Sequence, residues 1–369
     1  MHPEFRLDDG VVHLNHAAVA PWPLRTHAAV LRFADENMRI GSRRYAQWLA
    51  VEQELRGRLQ RLIGADSPDD IALLKNTSEG LSMVAWGLEW QAGQNVVCAR
   101  QEFPSNRIVW ESLATLGVRT RLVDLDAATD PEQALMDAID GDTRLLAVSS
   151  VQYDNGLHLN LERLGAYCRP RGVLFCIDAI QSLGALPFDV HACQADFVAA
   201  DGHKWMLGPE GVALFYVRPA LRDGLRLRQF GWHMVEHAGD FDRMDWEPAP
   251  NARRFECGSP NLLGIHALNA SLSLIEETDI DAIARAVLDN SAYLIECLKS
   301  NGWQILTPQD PSRHAGIVTF RRDGADHQAI YRRLVDAGVL CALRGGGIRF
   351  SPHFHTTRVA MDRALEVLE

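Results

Sequence analysis

Two short segments hold side chains that could act on a carbonyl and an amine. Asp201-Gly202-His203-Lys204-Trp205 follows the apolar run Phe197–Ala199, and Asp178-Ala179-Ile180-Gln181 follows the run Val173–Ile177. A lysine leaving one buried strand end can condense with an aldehyde. An aspartate leaving a neighbouring strand end can pair with a protonated ring nitrogen. Together they meet the needs of pyridoxal phosphate, whose aldehyde takes a lysine and whose pyridinium takes a carboxylate. Lys204 has an ordinary pKa near 10.4, so service as a base near pH 7 requires a fall of roughly three units, which burial can supply.

Such residues need rigid elements behind them. Apolar runs recur at Ile71–Leu74, Val96–Cys98, Thr120–Leu125, Leu145–Ser149, Val173–Ile177, Phe197–Ala199 and Val212–Val217. Most are continuous rather than alternating, as in strands covered on both faces. Helical patterns at Glu79–Leu88, Ser105–Leu116, Pro131–Ile139 and Asn160–Cys168 separate most of them. This alternation predicts an α/β fold with a mostly parallel sheet and helices on both faces. Residues 16–260 are read as a large domain. Residues 261–369 are read as a smaller α+β domain, with helices near 262–277, 281–300, 328–337 and from 357, and strands near 304–306, 317–320, 340–343 and 348–350. Residues 1–15 are expected beside the active site or the small domain.

Ligands in open α/β sheets bind beyond the carboxyl ends of the strands. The loops there contain Asn76-Thr77-Ser78-Glu79-Gly80, Glu102-Phe103-Pro104-Ser105-Asn106, Ser150–Gln152, Asp178–Gln181 and His203-Lys204. The helix start at Thr77–Gly80 suits a phosphate; the alternative is that Ser78 or Thr77 caps its own helix. Phe103 can stack on a planar ring or belong to the core. Arg349, beside Gly345-Gly346-Gly347, can grip a carboxylate with its fork or be structural. Trp22, Trp110, Trp232, His233 and His237 are candidates to line a substrate pocket. His353 and His355 form a weak metal pair with no further ligands at diagnostic spacing, so a loop or strand detail is expected and no metal is assigned.

The 369 residues carry 37 basic and 48 acidic side chains, a formal charge of −11, with 47% hydrophobic residues. That balance argues against non-specific nucleic-acid binding. No secretory leader or membrane span is read. Seven dispersed cysteines point to reduced thiols in a cytoplasm. GxSxG and P-loop patterns are absent, which disfavours a hydrolase or nucleotide enzyme of those types.

These motifs, with His13–Ala18, Arg254–Asn261 and Ile348–Thr357, resemble the class V aminotransferase group of fold-type I pyridoxal-phosphate enzymes. That group includes cysteine desulfurases, kynureninases and isopenicillin-N-epimerase-like proteins. The resemblance implies a seven-stranded sheet and pyridoxal 5'-phosphate as cofactor. It implies that Lys204 carries the Schiff base, Asp178 holds the ring nitrogen, and Gln181 with Ser150 meets the ring hydroxyl. Phe103 would stack on the ring. Thr77, Ser78 and His203 would hold the phosphate, with His203 counted among the catalytic residues. Ser259 would reach the phosphate of a partner subunit, which implies a homodimer with its active site at the interface. Arg349, Asn15 and His16 would contact an amino-acid substrate.

Two departures stand out. Relatives often have serine where this chain has Asp201, which is expected to orient His203 or face away. Cysteine desulfurases carry a nucleophilic cysteine on the loop that is here Leu343–Ile348, whereas Cys341 precedes it in an expected strand. Persulfide formation on the protein is therefore not expected. Transamination and elimination of a β-substituent are the leading readings, with epimerisation third and a non-catalytic cofactor binder last.

Overall fold

The computed structural model describes residues 2–369. Its centre is a seven-stranded sheet of β1 (Ile71–Leu74), β2 (Asn95–Ala99), β3 (Arg119–Val123), β4 (Thr143–Ser149), β5 (Leu174–Asp178), β6 (Phe197–Asp201) and β7 (Ala213–Val217). The spatial order is β1-β7-β6-β5-β4-β2-β3. Neighbours from β6 to β3 run parallel, while β7 lies antiparallel to both β6 and β1.

The continuous apolar runs follow from burial on both faces. Val97, Leu146 and Ile177 enter one core, whereas Cys98, Ala147 and Cys176 enter the other. The helix Thr77–Gly87 packs so closely on the sheet that a Cβ at Gly80 would lie 3.1 Å from both Ala199 and Phe215. A glycine at this position lets the helix start approach the strand ends.

The second sheet pairs Ala342–Arg344, Gly347–Phe350, Val318–Arg321 and Gln304–Ile305 in that order, all antiparallel. The expected strand over 340–343 is two elements, because its halves have different partners. Val339–Leu340 pairs with Val12–His13, while Ala342–Arg344 forms a hairpin with Gly347–Phe350. The expected helix 105–116 becomes a tighter 3-10 turn from Ser112.

Helices Leu24–Ile40 and Tyr45–Ile63 lie ahead of the strand–helix alternation and were not anticipated. Leu24–Ile40 buries only Thr26 and Ala29. Both helices pack on Leu262–Thr278, whose Ile265, Leu268 and Leu272 join the core of the large sheet. No helix among the described residues is long and apolar enough to cross a membrane.

Candidate active site

A cavity of about 400 Å³ opens where the sheet's carboxyl ends meet the small sheet. Its lining includes Thr77, Ser78, Phe103, Asp178, Gln181, His203, Lys204 and Arg349. These residues span about 270 positions of sequence, and parallel strand ends bring them together.

Lys204 stands on a tight turn after β6. Leu207 N–H donates to the Lys204 carbonyl at 3.1 Å, and Gly208 N–H returns to Gly202 at 2.8 Å. Leu207 has φ +61°, a left-handed conformation that costs a side-chain-bearing residue about 1–3 kcal/mol. Lys204 is 9% exposed. Burial pulls its pKa down to about 8; Asp178 opposes the fall and Arg349 adds to it. Its neighbours act on it through charge, not hydrogen bonds, and its Nζ lies 5.6 Å from the centre of the Phe103 ring.

Asp178 closes β5. One carboxylate oxygen accepts the Ile180 N–H at 3.1 Å. Burial pushes its pKa up to about 7, and the nearby carboxylates of Glu102 and Asp201 push the same way. A buried carboxylate with so little compensation calls for a cation or a proton. Arg349 is likewise buried, with its pKa lowered by burial to about 10. Its Nη1 donates to the Tyr153 carbonyl at 2.6 Å, while its Nε has no partner.

The helix Thr77–Gly87 is capped by Asn76, whose side chain accepts the Glu79 N–H at 2.9 Å. Neither Thr77 nor Ser78 is the cap. Thr77 Oγ1 accepts the Asp201 N–H at 3.0 Å, and Ser78 Oγ donates to Ser105 Oγ at 2.8 Å. Asp201 Oδ1 lies 3.1 Å from His203 Nδ1, an ion-pair distance without hydrogen-bond geometry. Asp201 thus turns toward His203.

Several expectations need correction. Ser150 does not line the cavity; it is fully buried with its hydroxyl 2.7 Å from Ser182 Oγ. Gln181 lines it, but its Nε2 donates to the Ala17 carbonyl at 3.1 Å and its Oε1 accepts from Trp205 Nε1 at 2.9 Å. Asn15 and His16 also lie outside the lining, which begins at Ala17. Asn15 bridges Ser351 in a strand-like pairing. The fully buried His16 joins a cluster with His13, His353 and His355.

None of Trp22, Trp110, Trp232, His233 and His237 lines the cavity. Trp110 is core, its indole donating to Asn106, and His233 sits beside Glu256. Glu52, His233 and Glu256 bring possible ligand atoms within 4.8 Å of one another, but the Arg56 guanidinium already lies between the two carboxylates. Ser259 is exposed, outside the cavity. Residues not anticipated are Ser105, Tyr153, Glu210 and Arg344. Ser105 and Tyr153 belong to strand-end loops and Arg344 to the Leu343–Ile348 loop, the available signals; Glu210 had none.

The profile of the class-V aminotransferases matches residues 12–360. The chain belongs to that family. A probable cysteine desulfurase of Methanothermobacter thermautotrophicus is 30% identical, over 97% of this chain and 94% of the relative. The isopenicillin N epimerase of Streptomyces clavuligerus is also 30% identical, over 98% and 95%. The apo cysteine desulfurase of Thermococcus onnurineus NA1 superposes with a TM-score of 0.87 at 26% identity, covering 97% of this chain and 94% of that one.

Class-V aminotransferases are pyridoxal-phosphate enzymes, and so is this chain. The residues present fit the cofactor. Lys204 offers an amine free of hydrogen bonds, Asp178 a nearly uncompensated buried carboxylate, and the helix start the N–H groups of Thr77 and Ser78, those of Glu79 and Gly80 being bonded to Asn76.

Proposed function

We propose that this class-V enzyme cleaves a carbon–sulfur bond at Cβ of an amino acid, without storing the sulfur on a protein thiol. When bound, pyridoxal phosphate supplies an electron sink for Cα of the substrate. The protein's own residues do the rest. Arg349 grips the α-carboxylate through its unpartnered Nε edge. Lys204, held as a weakened base, takes the Cα proton. The electron pair left behind forms a Cα–Cβ double bond as the Cβ–S bond breaks, and the sulfur leaves with the pair. Asp178 would hold a positive ring nitrogen, while Thr77, Ser78 and His203 would hold the phosphate. Phe103 would cover the ring face.

The observation that carries this reading is the meeting of a buried free amine, a buried carboxylate and a half-satisfied buried guanidinium in one cavity. Relatives named as cysteine desulfurases favour sulfur chemistry. No cysteine lines the cavity among the described residues. Cys341 is buried between two strands, and burial raises its thiol pKa to about 12, far from a nucleophile near neutral pH. Released sulfide or persulfide is therefore the expected product.

Incubation of the cofactor-loaded protein with cysteine, cystine and non-sulfur amino acids tests this. Sulfide or persulfide together with pyruvate and ammonia supports it. A keto acid that retains the amino acid's side chain, formed as the cofactor gains the amino group, would replace it with transamination, and inverted substrate would replace it with epimerisation.

The working form in this reading is a homodimer. Ser259 is exposed beyond the cavity rim, and Phe230, Phe241, Met244 and Trp246 expose a large apolar area on the same connection. Sedimentation at micromolar concentration tests it; a monomer with full activity refutes it. All seven cysteines are free, which suits a reducing cytoplasm.

A further inference from the structure

Glu102 is buried in the loop after β2 and has no cation beside it. Ser149 N–H donates to its Oε1 at 2.8 Å, and Gln152 Nε2 donates to the same oxygen at 3.0 Å. Asn106 Nδ2 donates to Oε2 at 2.9 Å, and the Ser149 hydroxyl makes a short contact with Oε2. Trp110 Nε1 donates to Asn106 Oδ1 at 3.0 Å, which fixes the direction of that amide. Two of the four partners, the Ser149 N–H and the Asn106 amide held by Trp110, can only donate, and Gln152 donates through its Nε2. The fourth, Ser149 Oγ, donates its hydroxyl hydrogen to Glu102. If Glu102 carried a proton, the Ser149 hydroxyl hydrogen would lose that partner.

Burial raises the proton affinity of Glu102 and these bonds lower it, with a net direction upward from the ordinary carboxylate value. Against that rise the four donors favour the ionised form, since each carboxylate oxygen accepts at two positions. The site therefore contains a buried anion dressed by neutral groups.

Its location gives the charge a use. Ser149, which holds Glu102 from β4, stands opposite Asp178 of β5 in the sheet register. Glu102 thus lies two strand spacings from Asp178, and no cationic side chain among the described residues contacts it.

The geometry points to Glu102 as a positioning residue whose buried charge, acting through Asp178, keeps the cofactor's ring nitrogen protonated. The assignment rests on the cofactor reading above. The negative charge behind Asp178 makes a proton or cation in front of it more favourable. The same carboxylate ties together the loops of Phe103, Ser149 and Gln152. At about 10 Å and an effective dielectric of about 20, the charge corresponds to about tenfold in proton affinity.

The test compares Glu102→Gln with the unaltered full-length protein. Each is stripped of cofactor and titrated with pyridoxal phosphate and with 1-deazapyridoxal phosphate, which has carbon in place of the ring nitrogen. The expected result is about a tenfold loss of affinity for pyridoxal phosphate and none for the deaza compound. The ¹⁵N resonance of ring-labelled cofactor should also move toward the unprotonated position. Equal weakening toward both compounds would show a purely structural role and overturn the assignment, as would no change toward either. Glu102→Asp should restore the ¹⁵N signature even if affinity stays lower; failure to do so counts against it.

If Glu102→Gln does not fold, Gln152→Ala removes one donor and makes Glu102 easier to protonate. The same one-sided loss must then appear, to a smaller degree, and its absence overturns the assignment. An unaltered protein that binds neither compound defeats the cofactor reading itself, whereas selective binding by that protein with an indifferent variant defeats only the role of Glu102.

Discussion

The turn Lys204–Leu207 separates two regions built on opposite principles. On one side lies the cavity, where Lys204, Asp178 and Arg349 are buried with few partners. On the other lies a cluster of His13, His16, His353 and His355, in which nearly every ring nitrogen has its partner. His16 Nδ1 donates to the Ser351 carbonyl at 2.9 Å, so its Nε2 accepts from His355 Nε2 at 3.0 Å. His353 Nε2 donates to the Trp205 carbonyl at 3.0 Å, and its Nδ1 accepts the Phe354 N–H at 2.8 Å. His13 Nε2 donates to the Val19 carbonyl at 3.1 Å. These proton positions follow from the partners, since carbonyls only accept. Trp205 belongs to both regions: its carbonyl faces His353, and its indole holds Gln181 at the cavity. The sealed side fixes the turn rigidly, so the poised side can keep its polar groups unsatisfied until cofactor and substrate arrive.

The largest expected effect comes from the poised side. Lys204→Ala should abolish labelling of position 204 by borohydride and cut turnover by about 10⁴-fold, the scale of a lost catalytic base. Peptide mapping and steady-state rates measure both, and retained turnover would contradict the assigned base. The fold should persist, because this amine forms no hydrogen bond that the structure relies on.

Arg349→Ala should lower kcat/KM by about 2–5 kcal/mol in transition-state terms for substrates with an α-carboxylate. Decarboxylated amines are the control. An equal loss with them would mean that Arg349 supports the small sheet rather than the substrate.

A change on the sealed side should appear in stability first. His353→Phe removes the donor to Trp205 and the acceptor for Phe354, leaving a buried carbonyl and a half-buried N–H unpaired at a cost of about 2–4 kcal/mol. Denaturant unfolding of the apo protein measures it. If stability is unchanged while cofactor affinity collapses, His353 belongs to the poised side after all.

The two sides should also respond to pH with opposite sign. Burial holds His13 and His353 at about 4, and His16 and His355 well below the ordinary 6.5. Between about pH 4 and 6.5 the unfolded chain binds protons that these folded rings refuse. Their stabilisation is full above pH 6.5 and is lost as pH falls to 4. Asp178 opposes this. With its folded pKa raised to about 7 from 3.8, it contributes stability below pH 3.8 that is lost as pH rises toward 7. In the apo protein, His13→Asn should therefore flatten the acid-side loss of stability, and Asp178→Asn should steepen it. Chemical denaturation at several pH values checks both signs, and the same sign for both variants would remove the contrast.

The smallest expected effect is Gly80→Ala. Contacts of 3.1 Å to Ala199 and Phe215 predict overpacking of about 1–3 kcal/mol and a helix start pushed off the strand ends. Weaker phosphate affinity with nearly normal melting would place the strain at the cofactor side of the turn.

Much of the site was legible because it depends on local sequence. Lys204, Asp178, Phe103 and the Thr77–Ser78 pair each follow a buried strand, and parallel strands deliver their carboxyl ends to one edge. The two N-terminal helices precede Ile71, where the strand–helix alternation that carried the reading begins. The Val339–Leu340 and Ala342–Arg344 strands were merged because both are apolar and only their partners differ.

The amino-acid sequence by itself determined the α/β class, the family, the lysine–aspartate pair and the cofactor they require, since strand periodicity and residue chemistry are written along the chain. Only the tertiary structure decided which polar groups are already used. Ser150 turned to Ser182, His16 to His355 and Gln181 to Trp205, whereas Arg349 kept a free edge. Hydrogen-bond satisfaction is a property of neighbours that are distant in sequence, and no local pattern encodes it.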